Sequence, residues 1–493
     1  MYAIDPRRTT SAQWADTWLG IDVGSDIALA NAVGREIIAA GLTHDSFVSH
    51  STSGFDAYAE AVDEWTLQRA EQVTGVPARE IRSLAHDLGT AETAQICWTL
   101  GITEHHNATD NVLALINLAL LTGQLGRYGS GLVPIRGQNN VQGGGDMGAL
   151  PNKLPGFQDV ADDEARGKFE AEWGTSVPSE PGLHLSLMFD AMERGEIRSL
   201  FVLGENPAQS EADVHRTRRL LDGLDFLLVQ DIFMTKTADM ADVILPAAVG
   251  WAESEGTVTS SERRVQRVRR ALEPPGQAID DLEILTMLAG RLGHRWGTPT
   301  AEQVWDELRS LSPLHAGMSY DRLDQLGGIQ WPCPNLEHPG TLFLHGDLWA
   351  DPLPREPVPF IPTDWVPPAD ELTDEYPTRL TTGRTLDSYN TGVQSGGFSS
   401  PLRAGGSIEI APEDGAAFGF TEGDQVRVSS RRGSIEVPIF FDNSLRPGLA
   451  FMSIHQPDEA DVNLLTIDAW DPKSGTAEFK ATAVRIEPVT STG

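Results

Sequence analysis

Cysteine is almost missing: only Cys97 and Cys333 occur, far apart in the chain. That excludes a disulfide framework, and it excludes a cysteine-ligated iron–sulfur cluster supplied by this chain alone. Lysine is nearly as scarce, standing only at 153, 168, 236, 473 and 480, so arginine carries almost all the positive charge. Against 37 basic residues there are 71 acidic ones, a formal charge of −34. Such an excess repels nucleic acid and anionic membrane surfaces, leaving small molecules and other proteins as the expected partners. Long apolar runs are also absent, and the opening MYAIDPRRTT has no charged head leading into an apolar stretch. Neither membrane insertion nor a leader is expected from what is written, and the cytoplasm is the default compartment.

What the chain does have is one unusual stretch. Residues 136–151 read RGQNNVQGGGDMGALP: an arginine, a run of side-chain amides, then three glycines. Gln138, Asn139, Asn140 and Gln142 make poor core because each brings donors and acceptors that need partners when buried. The glycines let backbone amides approach a ligand closely, and the planar fork of Arg136 suits a carboxylate or phosphate. A solvated glycine-rich loop satisfies the same composition.

The length, 493 residues, suggests roughly three domains. Residues 2–4 read as a strand stopped by Asp5-Pro6, and Ser25 or Asp26 as the N-cap of a helix that follows a strand, a ready anion site. Helical periodicity covers 56–94, a short strand 95–100, and an apolar helix about 110–122. Adjacent His105 and His106 lack metal-ligand spacing, yet stand where a pocket wall would be. Further on, strands at 200–203, 226–229 and 243–245 alternate with helical pieces, the last of these at 234–239, in a βαβ rhythm. Glu205 and Asp231 follow strand ends and Asp242 begins the third strand. Such carboxylates can accept from ribose hydroxyls or a guanine edge, and are equally common on solvated loops. Residues 261–270 hold Arg263, Arg264, Arg267, Arg269 and Arg270, a cluster that either faces an anion or partner or lies on a solvated strand face. Helices are expected over 281–292 and 301–311, and eight prolines between Asp351 and Pro377 mark a linker wrapped over a surface. Beyond it, strand-length segments at 407–410, 425–429, 434–439 and 449–453 predict a small β-barrel.

Taken jointly, IDPRRT (4–9), GSDIAL (24–29), RGQNNVQG (136–143), GENP (204–207), VQDIFMTKTADMADVILP (229–246), TTGR (381–384), SSRRGSIE (429–436), NLLT (463–466) and DPKSGTAEFK (471–480) carry a resemblance. In this order, over essentially the whole chain, they resemble the catalytic (alpha) subunit of molybdenum or tungsten formate dehydrogenases, in the molybdopterin oxidoreductase superfamily. The resemblance implies an α/β fold: Rossmann-like αβα domains, one truncated at its N-terminus, followed by a C-terminal double-psi β-barrel. Its divisions would be 1–138, 139–250 for the second dinucleotide-binding domain, 251–345 helical or mixed, 346–376 the proline-rich linker, and 377–493 the molybdopterin dinucleotide-binding barrel. The implied cofactor is bis-molybdopterin guanine dinucleotide with Mo or W. The implied reaction is oxidation of formate to CO2, or the reverse, by hydride transfer to that centre. Arg136 matches the family's active-site arginine, with Gln138 near the pterin. Gly24 and Asp26 would touch one nucleotide; Gly204, Glu205, Asn206, Gln230, Asp231 and Asp242 would hold the other; Thr382, Gly383, Arg384, Asn463 and Lys480 would contribute from the barrel.

Departures from the family pattern are equally specific. The ligands of the family's N-terminal 4Fe–4S cluster and its Cys or Sec metal ligand are absent, so the chain reads as a probable fragment or split subunit, incomplete by itself and working with a missing N-terminal part or an electron-acceptor subunit. Two alternatives stay open: another molybdopterin oxidoreductase acting on nitrate or a different anion, and a non-catalytic pterin-binding subunit.

Overall fold

In the computed structural model, which describes residues 1–386, 388–392, 405–456 and 458–489, contacts divide the chain into two units that do not follow chain order. One comprises Met1–Val133, Asn206–Leu221 and His345–Gly493; the other Pro134–Glu205 and Asp222–Leu344.

The first unit has a helical layer and a barrel. Its central helix, Asp26–Ala39, is buried along most of its length by Ile27, Leu29, Val33 and Ile37, with alanines between them. Those small side chains let Leu67–Thr74, Ala78–Thr90 and Ala108–Thr122 pack closely around it. The expected strand at the start is Tyr2–Ile4, which pairs in parallel with Thr17–Leu19.

The proline-rich stretch is more firmly held than a surface linker would be. Val358–Pro359 pairs in parallel with Thr52–Ser53, Phe360 stacks on Tyr58 with ring centroids 5.0 Å apart, and Trp365 meets Trp65 edge-on. Asp370, buried, then binds Arg431 and Arg432 and accepts from the backbone N–H of Ala483 at 2.9 Å. Proline removes backbone donors, so this strap has only that two-residue ladder and is otherwise anchored by aromatic packing and one carboxylate.

The barrel is closed, in the order Thr378–Gly383, Leu449–Ser453, Ile408–Ile410, Ser434–Phe441, Gln425–Ser429, Thr482–Pro488, and back to Thr378–Gly383. Parallel pairs join the first to the second and the third to the fourth strand; the other pairs are antiparallel. Period-two alternation places Ile435, Val437 and Ile439 inside with Val426, Val428, Leu380 and Met452. Each such side chain contributes about 1.5–3 kcal/mol by leaving water.

The second unit is built on a parallel sheet, Val243–Pro246, Phe226–Asp231 and Ser199–Leu203 in that order. It also contains an antiparallel sheet of Gly256–Thr259, Arg264–Val268 and Ile329–Gln330. Asp281–Arg291 and Ala301–Leu311 are helices as the periodicity predicts, the latter started by a Thr300/Gln303 capping box. The helical piece expected at 234–239 shrinks to a single turn, Ala238–Met240, because only residues 232–242 connect the strand ending at Asp231 to the one starting at Val243, too short a span for a full crossover helix. No helix among the described residues is long and apolar enough to cross a membrane.

Candidate functional site

Within the second unit, the stretch 136–151 is partly ordered where composition alone suggests a loop. Val141–Asp146 forms a short helix in spite of its three glycines, entered from Asn140 at φ +67°. The reason is Asp146. Its buried carboxylate accepts from Gln142 Nε2 and Trp331 Nε1, both at 2.8 Å, so one side chain closes the turn and pins it. Burial pushes the Asp146 carboxyl up; those two hydrogen bonds and the charge of Arg136 oppose the rise. Asn140 Oδ1 accepts from the backbone N–H of Thr259 at 2.9 Å, joining the segment to the antiparallel sheet.

Arg136 itself is exposed. Its backbone N–H donates to Ser261 Oγ at 3.1 Å, while its guanidinium forms no hydrogen bond or ion pair among the described residues. Gln138, half-buried, is engaged within the protein. The other basic cluster behaves in the opposite way. Arg263 donates to the carbonyls of Trp331, Thr341 and Leu342; Arg267 lies 3.4 Å over the Tyr320 ring beside Glu255 and Asp324; Arg269 and Arg270 pair with Asp324 and Glu273. Neighbouring acceptors have claimed that run: Arg263 and Arg267 are turned onto the protein, while Arg269 and Arg270 lie on a solvated face in surface ion pairs.

At the carboxyl end of the parallel sheet, Gly204 donates its N–H to the Gln230 carbonyl at 2.8 Å, bringing the GENP turn level with Gln230-Asp231. Glu205 is exposed, and Asp231 is half-buried with Oδ1 accepting from the Phe233 N–H at 2.9 Å. Desolvation raises the Asp231 carboxyl, with that N–H opposing. Gln230 is buried, its Nε2 on Asp281 and its Oε1 without a donor. Asp242 is the exception to the sequence-based grouping. Pro246 stands opposite Asp231 in the register, so Asp242 lies at the amino end of the sheet, about four residues or 13 Å away. Its Oδ2 accepts from the Leu227 N–H at 2.7 Å, an edge-closing role rather than a place beside Glu205 and Asp231.

In the first unit, the GSD turn has Gly24 at φ +81°, where a side chain would press to 2.7 Å on Pro368; its carbonyl accepts from Trp365 Nε1 at 2.9 Å. Ser25 occupies the cap position but donates its hydroxyl to the Asp22 carbonyl instead of capping. Asp26 is half-buried at the first helical position; burial pushes its carboxyl up, with His105 pulling it back.

From the barrel, Thr382 is buried and donates to the Phe479 carbonyl at 2.9 Å, and a side chain at Gly383 would meet Phe451 at 2.8 Å. Arg384 is exposed, 5.6 Å from the Tyr389 ring centroid. Lys480 Nζ bonds Glu104 Oε2 at 2.9 Å and the Thr382 carbonyl at 3.1 Å, using two of its three N–H groups. Asn463 is spent internally. Its amide donates to the Gln209 and Ser210 carbonyls at 3.0 and 3.2 Å, leaving no side-chain N–H for a ligand. Asn206 is buried against Gln209 and Thr391. These two asparagines are brought together around Gln209 to hold the 206–221 segment on the barrel.

Two functional residues escaped the sequence reading of roles. Glu104 and Glu478 are the acidic partners of Lys480 and of the histidine pair, and only the position of Glu478 inside the AEFK motif signalled them. Among the described residues no cluster of His, Cys, Asp and Glu could hold a metal ion.

Comparison with known proteins agrees with this layout. The profile described as Molybdopterin oxidoreductase matches residues 1–291, and that described as Molydopterin dinucleotide binding domain matches residues 378–483, the barrel. The chain is 42% identical to the F420-dependent formate dehydrogenase 2 subunit alpha of Methanococcus maripaludis, over 99% of this chain and 72% of that protein. It is 37% identical to formate dehydrogenase H of Escherichia coli, over 98% of this chain and 68% of the other. Among solved structures, acetylene hydratase from Pelobacter acetylenicus superposes with a TM-score of 0.72 at 18% identity, covering 99% of this chain and 73% of the other, a likeness of fold alone.

Proposed function

We infer the function from one premise: this chain belongs to the molybdopterin oxidoreductase family. Its activity on this reading is that of a formate dehydrogenase, removing two electrons and a proton from formate to leave CO2. The cofactor is a pair of molybdopterin guanine dinucleotides on molybdenum or tungsten, which supplies the two-electron acceptor when bound. The finer fold reading goes with it: Rossmann-like αβα halves and a double-psi barrel.

The residues present fit such a group. Gly204 leaves open space where a side chain would stand, Arg384 and Lys480 offer cationic donors for pyrophosphate, and Gly204, Glu205, Gln230 and Asp231 lie together at a strand end where ribose and guanine donors are accepted; Gly24 and Gly383 belong to the matched motifs, their missing side chains making room for Pro368 and Phe451. Asp242 and Asn463 take structural parts instead. Electrons leave to a further subunit, and the cytoplasm is the expected compartment.

One observation carries the choice of substrate: in a chain with a formal charge of −34, Arg136 keeps an exposed guanidinium without a hydrogen bond or ion pair among the described residues, on a segment fixed by Ser261, Thr259 and Asp146. A planar fork binds both oxygens of a one-carbon carboxylate and leaves its C–H facing away, so the chain's own work is to hold and orient the anion. In the cofactor-loaded protein, Arg136→Ala should lower kcat/KM for formate by about a hundredfold or more at unchanged pterin content. An unchanged rate would favour a different anion as substrate.

A further inference from the structure

The segment 471–480 of the barrel is stitched to residues 104–110 by a row of polar contacts, all inside the first unit. Lys473 pairs with Asp110, and Asp471 Oδ2 accepts from the Thr109 hydroxyl at 2.6 Å. The Phe479 N–H donates to the Glu104 carbonyl at 3.2 Å, and Lys480 pairs with the Glu104 carboxylate. At the middle of the row sits Glu478, wholly buried. Its Oε1 accepts from the backbone N–H groups of Lys480 and Ala481 at 3.0 and 3.1 Å, and its Oε2 from that of His106 at 3.0 Å. The Nδ1 atoms of His105 and His106 each lie 3.3 Å from Oε2.

His105 is the informative member. It is 2% exposed, Nδ1 faces the Glu478 carboxylate, and Nε2 faces the Gly101 carbonyl at 3.1 Å. Both partners are acceptors, so only the doubly protonated ring can donate to each of them. Either neutral tautomer would set a lone pair against an oxygen inside the protein. A buried cation on a buried carboxylate is a costly arrangement for stability alone, and it ties down the two segments that hold Lys480 and the ring nearest Asp26.

We propose that His105 and Glu478 are positioning residues: as imidazolium and carboxylate they lock the Lys480 segment of the barrel and hold its ammonium and Asp26 in the arrangement that receives the guanine dinucleotide. This rests on the reading of Gly24, Asp26 and Lys480 as part of that pocket. The groups acting on His105 are Glu478, Asp26 and Lys480, with His106 on the same carboxylate, Glu104 on Lys480, and Arg379 within reach of the Glu478 charge. Burial alone would lower the His105 pKa, but Glu478 and Asp26 outweigh it and raise it above 6.5. Burial alone would raise Glu478, but His105 and the bonds from His106 hold it well below 4.5. The lock is therefore held between those two values, with the imidazolium fixed by the two acceptors it faces. It is lost as pH climbs through the raised His105 value, and again as pH falls toward the depressed Glu478 value.

Two measurements on the full chain test this. In histidine-labelled parent protein, with the ring assigned through its bonds to the His105 backbone, nuclear magnetic resonance should show His105 doubly protonated at pH 7; a neutral ring there overturns the proposal even if every variant misfolds. In cofactor-loaded protein washed at a series of pH values, the GMP released per chain by acid hydrolysis reports retained dinucleotide. Glu478→Gln and His105→Gln should each retain about tenfold less at pH 7, and the alkaline loss seen in the parent should vanish in His105→Gln. Lys480→Met should lower retention while keeping the alkaline step. If His105→Gln retains GMP like the parent while Lys480→Met does not, the positioning role falls and the pocket stands. If Lys480→Met also matches the parent, or the parent holds no GMP, the pocket reading falls and takes the proposal with it.

Discussion

Two polar constellations of this chain are opposites. Around Glu478, in the first unit, a buried carboxylate is taken up by three backbone N–H groups and faces the buried His105 ring. Around Arg136, in the second unit, the backbone is fixed, yet the charged head is exposed and has no ion pair among the described residues. The same distinction separates the two arginine clusters of the second unit, since the 263–270 run is consumed by carbonyls, carboxylates and a tyrosine ring. A charge already satisfied by the protein acts on structure, whereas a charge held in place and left unsatisfied is available to a ligand. Composition does not separate the two cases; partners do.

The strongest way to break the comparison is to empty the closed constellation. Glu478→Ala strands three backbone N–H groups and a buried imidazolium, and should destabilise the chain by about 3–5 kcal/mol, the cost of removing one partner of a buried pair. Chemical denaturation of the purified chain measures it. A loss under about 1 kcal/mol would mean that water enters freely and that the cluster is not closed at all.

Much of the architecture was legible because it rests on periodicity. The barrel strands alternate cleanly, as at Ile435, Val437 and Ile439, and the helices Ala108–Thr122 and Ala301–Leu311 fall where apolar spacing and caps predict. Family motifs located the candidate site, since GENP and Gln230-Asp231 do meet through the Gly204 N–H. Partner identity was not legible. Asp231 follows a strand and Asp242 begins one, a difference the sequence carries, but both read as ligand carboxylates until the parallel register puts them at opposite ends of a sheet. Asn463 reads as a ligand donor until Gln209 and Ser210 are seen to take both of its hydrogens. The strap was misjudged for a related reason: proline content reports missing donors, but Phe360, Trp365 and Asp370 act through contacts more than 300 residues distant in the case of Tyr58 and Gly24.

A smaller effect sharpens the contrast from the other side. Trp331→Phe keeps the ring and removes the N–H that Asp146 accepts at 2.8 Å. Losing a hydrogen bond to a buried carboxylate should cost about 1.5–3 kcal/mol and should loosen the glycine-bearing turn Val141–Asp146, seen as faster amide exchange there than in the barrel. If exchange in the turn stays unchanged, Gln142 alone holds it.

The smallest expected effect is the most informative about the open constellation. Arg136→Gln removes a charge but breaks no hydrogen bond or ion pair among the described residues, because the only protein bond at this position is made by the backbone N–H to Ser261. The side chain is exposed, so little apolar area changes, and the stability shift should stay within about 0.5 kcal/mol. The one electrostatic consequence is that Asp146 loses a nearby cation and its already raised carboxyl rises further; a carboxyl raised by folding opposes the fold while ionised, so the variant should be slightly less stable than the parent at neutral pH and the gap should close as pH falls and Asp146 takes up its proton. Measured by urea midpoint at neutral pH beside formate turnover of the loaded protein, parent and variant should match in the first and differ widely in the second. A fall of more than about 1.5 kcal/mol in stability would place Arg136 with the satisfied arginines of the 263–270 run, and the distinction between charge that holds the fold and charge kept for a ligand would fail at the residue on which the formate reading depends.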